Sequence, residues 1–447
     1  MQEVYYNSLP AFRDGFYLCF ARAKNALMDT ADALLSEPSA RSLPELSLSP
    51  FFGRTWHSLY EAFADAKINR SQLQRLFAAF APTPEPGQRL LLGVDASSIL
   101  RPLSHTVKDR TWVHASNLPS GLKPVGAGWQ FSSLCVLPSS PSSWTYVLDN
   151  QRIQSTATAP EVAARQLCSV VPCLSQREGE ARPLLLADGG YGNVAFLLKT
   201  QGIACDKLLR FAKNRVRYRP APPRPQKPGR GAPRKDGAVF RCADPTTHGT
   251  PDAVWKSETS DATPVEVACW HDLHFKAARG VSVTVVRVTR EGATGSRRTP
   301  RVVWFVFEGE TLPPLSQLPS LYGCRYSLEH GFRVDKQDLM WERVRLRSPE
   351  AFESWTNVVA GVRNQLFLAK DLPLTRRPWE SKDRTGTPAQ VRRGMGAILR
   401  ELQTPSPPAQ RRGNSPGRTK TTTKFRATRY EVVCKHKNET ENPTDLV

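Results

Sequence analysis

Two short, unbroken apolar runs set the fold class of this chain. Leu90-Leu91-Leu92-Gly93-Val94 stops at Asp95, and Leu184-Leu185-Leu186-Ala187 stops at Asp188. Runs this short, with no polar alternation, suit strands covered on both faces. Such strands belong to sheets with helices packed on them, and open α/β sheets place their sites at strand ends. Each run is expected to deliver one Asp to the rim of an α/β core. Taken alone, either acid is equally well a polar strand end or a helix cap.

The surrounding sequence fills in that core. Residues 1–85 carry apolar residues at three- and four-residue steps, as in RSQLQRLFAAF, and read as a helical N-terminal region that ends at Pro82, Pro84 and Pro86. The first part of the core spans 86–212. Strands are expected around Trp129–Leu137 and Trp144–Leu148, a helix over about 160–175, a helix at Val194–Thr200 and a strand at Lys207–Phe211. Residues 213–308 interrupt it. They open with a proline-rich basic stretch, 213–236, that reads as an exposed loop, and continue as strands such as VSVTVVRV and RVVWFVFEGE. The second part of the core, 309–370, reads as two helical stretches. The tail, 371–447, is basic, rich in Pro, Thr and Gly, and expected to be largely disordered.

Composition narrows the function. The chain has 447 residues, with 62 Lys+Arg against 41 Asp+Glu and a formal net charge of +21. A polyanion partner follows, and nucleic acid is the commonest. The N-terminal region could bind DNA or pack on the core. No apolar run is long enough to span a membrane. No signal peptide is evident at the start. The nine cysteines include no CxxC pair, which points to reduced thiols in a cytosolic protein. His271 and His274 match no zinc spacing and read as strand histidines. No GxxxxGK[ST], GxGxxG or GxSxG pattern offers nucleotide, dinucleotide or serine-hydrolase chemistry.

The most informative segment is LYGCRYSLEHGFRVDKQDLMW, residues 321–341. On an α-helix Tyr322, Arg325, Glu329, Arg333 and Lys336 fall within an arc of about 80°. Leu321, Leu328, Phe332 and Leu339 form the neighbouring apolar stripe. Buried on that stripe, the helix would hold one carboxylate among four phosphate-binding groups at the edge of the core. Alone, this is a surface ion-pair network. With Asp95 and Asp188 it becomes a third acid. Three carboxylates together repel and raise one another's pKa. Divalent cations would relieve that, and Mg²⁺ prefers a few carboxylates with waters and phosphate oxygens. Asp109, Asp149 and Asp335 are the competing acids and are expected in solvent, Asp335 because it falls away from the polar stripe.

Tyr322, Arg325, Glu329 and Lys336 together resemble the Tyr-x2-Arg-x3-Glu-x6-Lys signature of bacterial insertion-sequence DDE transposases, in and around the insertion-sequence-four group. The order strand-Asp, strand-Asp, strand-rich insertion, helix-Glu is similar as well, and the likeness covers about 90–370. It departs from the group at Asp188-Gly189-Gly190-Tyr191, where the spacing is compressed. The resemblance implies an RNase H-like mixed-sheet core interrupted by a β-rich insertion. Asp95, Asp188 and Glu329 would be the catalytic, metal-binding triad for two Mg²⁺ ions, with Mn²⁺ as a substitute. Tyr322, Arg325, Lys336 and Arg333 would grip DNA. Trp304 would stack on a flipped base, with Trp270 as a second candidate, although a core Trp is the plainer reading of both. The implied activity is cut-and-paste transposition: binding to terminal inverted repeats, strand cleavage and strand transfer. A homodimer on double-stranded DNA, no nucleotide cofactor and a cytoplasmic, nucleoid-associated location in a bacterium go with it. The alternatives are an RNase H-like nuclease without strand transfer and an inactive transposase-derived DNA-binding protein.

Overall fold

The computed structural model describes residues 2–115, 123–174, 181–223, 232–257, 264–292, 301–372, 377–380, 386–410 and 426–435. The chain opens with α1 (Gln2–Leu18), α2 (Lys24–Ser36), α3 (Leu43–Leu46), α4 (Trp56–Asp65) and α5 (Arg70–Ala79), with a short antiparallel pair, β1 (Phe20–Arg22) and β2 (Lys67–Ile68), between them. Their inner faces are aromatic: Phe12, Phe16 and Phe77 stack on one another in the core.

Next come β3 (Leu91–Leu100), β4 (Thr111–His114), β5 (Val125–Leu137), β6 (Tyr146–Ile153), α6 (Ala159–Val170), β7 (Leu184–Ala187), α7 (Val194–Lys199) and β8 (Asp206–Phe211). They pair in the order β6-β5-β3-β7-β8, with β4 on the same edge of β5 as β6. β3, β5 and β6 are antiparallel, whereas β7 runs parallel to both β3 and β8. This mixed sheet with helices on it is an RNase H-like core. All four residues of β7 are buried, as its unbroken apolar run requires.

The insertion carries β9 (Val216–Tyr218), β10 (Val239–Arg241), β11 (Ala253–Lys256), β12 (Val265–Phe275), β13 (Ala278–Arg290) and β14 (Val302–Glu308). It extends the core sheet, because β14 pairs antiparallel with β8 and β13 with β14. The stretch 213–236 is not wholly an exposed loop. Val216–Tyr218 is a strand, and Arg217 is buried with its guanidinium 3.8 Å from the Phe275 ring centroid. Residues 224–231 of that stretch lie outside the described residues.

The chain then forms one nearly continuous helical run: α8 (Leu318–Gly323), a 3₁₀ turn (Cys324–Tyr326), α9 (Ser327–Arg333) and a π-helical turn (Val334–Asp338). α10 (Pro349–Leu368) follows, opened by Ser348, whose side chain accepts a hydrogen bond from Ala351 N. It is buried along almost its whole length, packed between β6 and the N-terminal helices. The tail departs from the expected disorder at α11 (Pro388–Leu402), which packs on α2. A capping box between Thr387 and Gln390, with Pro388 at the first turn, starts this helix. A second tail segment reaches the sheet, where Val433 bridges Thr111 of β4. Residues 411–425 and 436–447 lie outside the described residues.

Arg392 explains why α11 is part of the fold. It is 2% exposed and donates hydrogen bonds to the carbonyl oxygens of Leu34, Glu37 and Asp338. It thus joins α2 to the end of the helical run that carries Glu329. Arg392→Ala leaves three carbonyls short of a donor and is expected to cost about 3 kcal/mol, read from urea unfolding.

Candidate active site

Strand register brings the first two acids together. Gly93 pairs with Leu186, and Leu186 with Leu208. Two residues further along these strands stand Asp95, Asp188 and Arg210. Carried past the last paired residues, the register puts these three in one row, with neighbouring strands about 4.8 Å apart. Asp188 follows β7 directly, as the sequence suggests. Asp95 does not end its strand. β3 runs on to Leu100, and only its parallel pairing with β7 stops before Asp95.

The loop after Asp188 is held tightly. Gly190 N donates to Asp188 Oδ1 at 2.9 Å, and Asn193 caps α7 by accepting from Phe196 N. A side chain at Gly192 would bring its Cβ to 2.7 Å from the Arg210 carbonyl oxygen, so only glycine lets the loop lie against β8.

Glu329 comes to this row on α9, which packs over β3 and β5. Arg325 stands between the acids. Its Nη1 donates to Asp95 Oδ2 at 3.0 Å, and its Nη2 lies 3.5 Å from Glu329 Oε1. Burial pushes the Asp95 carboxyl above the ordinary value, Arg325 opposes this, and Asp188 pushes it further up. Burial alone would lower Arg325, but Tyr322, Asp95, Asp188 and Glu329 hold its guanidinium protonated. Tyr322 packs on Phe305 and donates from its hydroxyl to the Ala187 carbonyl oxygen at 3.4 Å. Lys336 is half-buried, with Nζ donating to Ser98 O at 2.8 Å and 3.7 Å from Glu342. Arg333 is exposed.

In chemistry the three acids fit a hard divalent cation: all are oxygen donors, and the two aspartates sit level with each other. The three are not closed into a ligand set. Among the described residues no three His, Cys, Asp or Glu are placed together to hold a metal ion. Arg325 supplies the positive charge between Asp95 and Glu329 instead.

Several expected placements change. Trp304 is 4% exposed and packs with Phe240, His248 and Trp270, whose ring is 6.0 Å from it. Both tryptophans belong to the core, and Trp304 presents no open face for a base. Asp335 is buried rather than solvated. Its place on the helix borders the apolar stripe, so it points inward, where Arg363 of α10 donates to its Oδ2 at 2.6 Å. Burial raises its pKa, and Arg363 opposes the rise. Asp149 is buried and accepts from Gln166 and Gln151. Asp109 pairs with Arg152. His271 and His274 bond Thr284 and Asp236, in keeping with strand histidines. All nine cysteines are free.

Sequence reasoning missed Arg210. It is exposed on β8, in the row of Asp95 and Asp188, and close enough to Tyr322 that, with Arg325, it opposes the rise that burial gives the Tyr322 hydroxyl. Only the three-strand register reveals it.

A family model described as DDE superfamily endonuclease matches residues 15–273, more than half of the chain, and the chain belongs to that family. It is therefore a DDE nuclease-type enzyme, of a family that acts on DNA with divalent metal ions. The match contains Asp95 and Asp188 and ends before Glu329. No curated protein matches the chain. No described helix is long and apolar enough to cross a membrane.

The Asp335–Arg363 pair anchors the helix that carries Glu329. Gly331, two residues after Glu329, leaves room for the Arg363 guanidinium, which any Cβ there would strike. Arg363→Ala strands a buried carboxylate and is expected to lower stability by about 3–5 kcal/mol in denaturant melts.

Proposed function

We propose that the chain is a DDE transposase of the insertion-sequence-four-like group. It binds the terminal inverted repeats of its own element and catalyses Mg²⁺-dependent strand cleavage and strand transfer. One observation carries this reading: Asp95 on β3 and Asp188 just past the adjacent β7 come level by the register of the two strands, with Glu329 tied to Asp95 through Arg325, inside a four-residue signature matched at every spacing. Asp95, Asp188 and Glu329 are the residues that would hold two Mg²⁺ ions, with Mn²⁺ as a substitute. When bound, such ions activate the attacking oxygen and stabilise the leaving oxygen at a phosphodiester.

The chain's own groups do the positioning. Arg325, freed from the acids, turns its planar guanidinium to a phosphate, for which its paired donors suit it. Arg210 and Arg333, both exposed, bind the flanking backbone, while Lys336 and Tyr322 fix the strand near the cleaved end. Water cleaves one strand at each end and leaves a 3′-OH, which then attacks a second phosphodiester. One phosphodiester is exchanged for another, so no nucleotide cofactor is needed. Two ends joined in one complex call for a homodimer on double-stranded DNA, acting at the bacterial nucleoid.

The test uses the DNA flanking the reading frame as a linear substrate, with purified protein and Mg²⁺. Cuts at two inverted ends, joining of those ends to a target, and loss of both in Glu329→Ala with binding retained are expected. Cuts without joined products would make the protein a nuclease without strand transfer. Retarded but uncut DNA would make it a DNA-binding protein. Loss of binding along with cutting in Glu329→Ala would make Glu329 structural.

Arg210 gives a separate expectation. Arg210→Ala should weaken binding to DNA of any sequence and lower the slope of log K against log salt by about one, as loss of one phosphate contact does. Fluorescence anisotropy over a salt series reads this directly.

A further inference from the structure

The row that holds Asp95 and Asp188 continues on its other side to Ser133 of β5, which pairs with Asp95, and to Asn150 of β6, which pairs with Ser133. Ser133 is 1% exposed, and its Oγ has no hydrogen-bond partner among the described residues. We infer that Ser133 is a positioning residue of the metal site, its hydroxyl donating to the Asp95 carboxylate and fixing the rotation of that ligand when a divalent cation is held. The inference rests on the reading of Asp95 and Asp188 as metal ligands.

Directly opposed residues on antiparallel strands have Cβ atoms about 4.5–5.5 Å apart and share a face. A serine hydroxyl turns freely and donates one proton, and a carboxylate oxygen has two acceptor sites. In the structure Asp95 Oδ1 accepts from Ala96 N and Oδ2 from Arg325. When a divalent cation takes the place of Arg325, the Asp95 carboxylate loses that donor, and Ser133, directly opposite it, has a hydroxyl placed to replace it. A buried hydroxyl with no partner costs free energy and calls for a reason, and a partner supplied in another state of the site is one such reason. Asn150 Oδ1 is also without a partner. The plain competing role is therefore a Ser133–Asn150 hydrogen bond that serves only stability.

The two roles separate by experiment. Mn²⁺ alone, without DNA, is titrated calorimetrically into the full chain, and Tm is measured for each variant. The control is Ser132→Ala. Ser132 points to the opposite face of β5, where it donates to Gln166 Oε1 at 2.6 Å. Ser133→Ala is expected to weaken Mn²⁺ binding about tenfold or more, as loss of a partner to a metal ligand does, with Tm equal to wild type or higher. Ser132→Ala is expected to lower Tm and leave Mn²⁺ affinity within about twofold. A lowered Tm with unchanged Mn²⁺ affinity in Ser133→Ala would assign the hydroxyl to Asn150 and overturn the inference. Unchanged Tm and affinity would overturn it equally. No Mn²⁺ binding by wild type, or undiminished binding by Asp95→Asn, would overturn the metal-site reading itself, and this inference with it.

Discussion

The in-register parallel pairing of β3 with β7 is the constraint on which the rest of the site depends. It brings Asp188 to the level of Asp95, whose ionisation burial opposes first and the Asp188 charge opposes further. The fold cannot relieve this by turning one acid away, because a one-residue slip would move every side chain of the strand to the other face. A cation has to come to the row. In the structure it is Arg325, delivered by the helical run that also carries Glu329.

Arg325 can do this only if its helix is fixed, and the fixing groups lie far off in sequence. Asp335 on the π turn is tied to Arg363 of α10, and the carbonyl of Asp338 is bound by Arg392 of α11. The π turn has a part in this. Leu339 N bonds to Val334 O, so the turn holds an extra residue. Asp335 can then face the core while Lys336, next to it, bonds the β3 backbone at Ser98. Glu329 is thereby held at one end of a run whose other end is clamped from two directions.

Much of this was legible in the sequence, and the gaps have definite causes. The apolar runs were strands, and the signature residues did gather at one edge of the sheet, because periodicity and spacing along one element are local properties. Register between strands is not local. Nothing in the sequence says that Arg210 and Ser133 are level with the two aspartates, so both looked like ordinary strand residues. Asp335 was misplaced for a related reason: its angle bordered the apolar stripe, and the arginine that makes burial tolerable lies 28 residues away. Trp304 went the other way, since its cluster with Trp270 and His248 is assembled from three separate segments. The helix α11 was hidden by the basic, proline-rich sequence around it. Thr387, Pro388 and Gln390 are nonetheless an ordinary helix start.

The N-terminal helices bear on the site through the same kind of bond. Arg13 of α1 is buried, pairs with Asp32 of α2 at 2.7 Å, and donates to Gln365 of α10 and to the carbonyl of Gln403 just past α11. Arg392 returns from α11 to the α2 carbonyl of Leu34 and, beyond the helix end, to that of Glu37. Two buried guanidinium groups therefore lace the first helices to α11, Arg13 reaching α10 at Gln365 and Arg392 reaching the end of the Glu329 run at Asp338, while α10 holds Asp335 through Arg363. Removing either would leave buried charge or unsatisfied carbonyls, so the ends are retained as parts of one packed layer. A contact made by the outer face of the N-terminal region is consequently made from a mount continuous with the helix that bears Glu329.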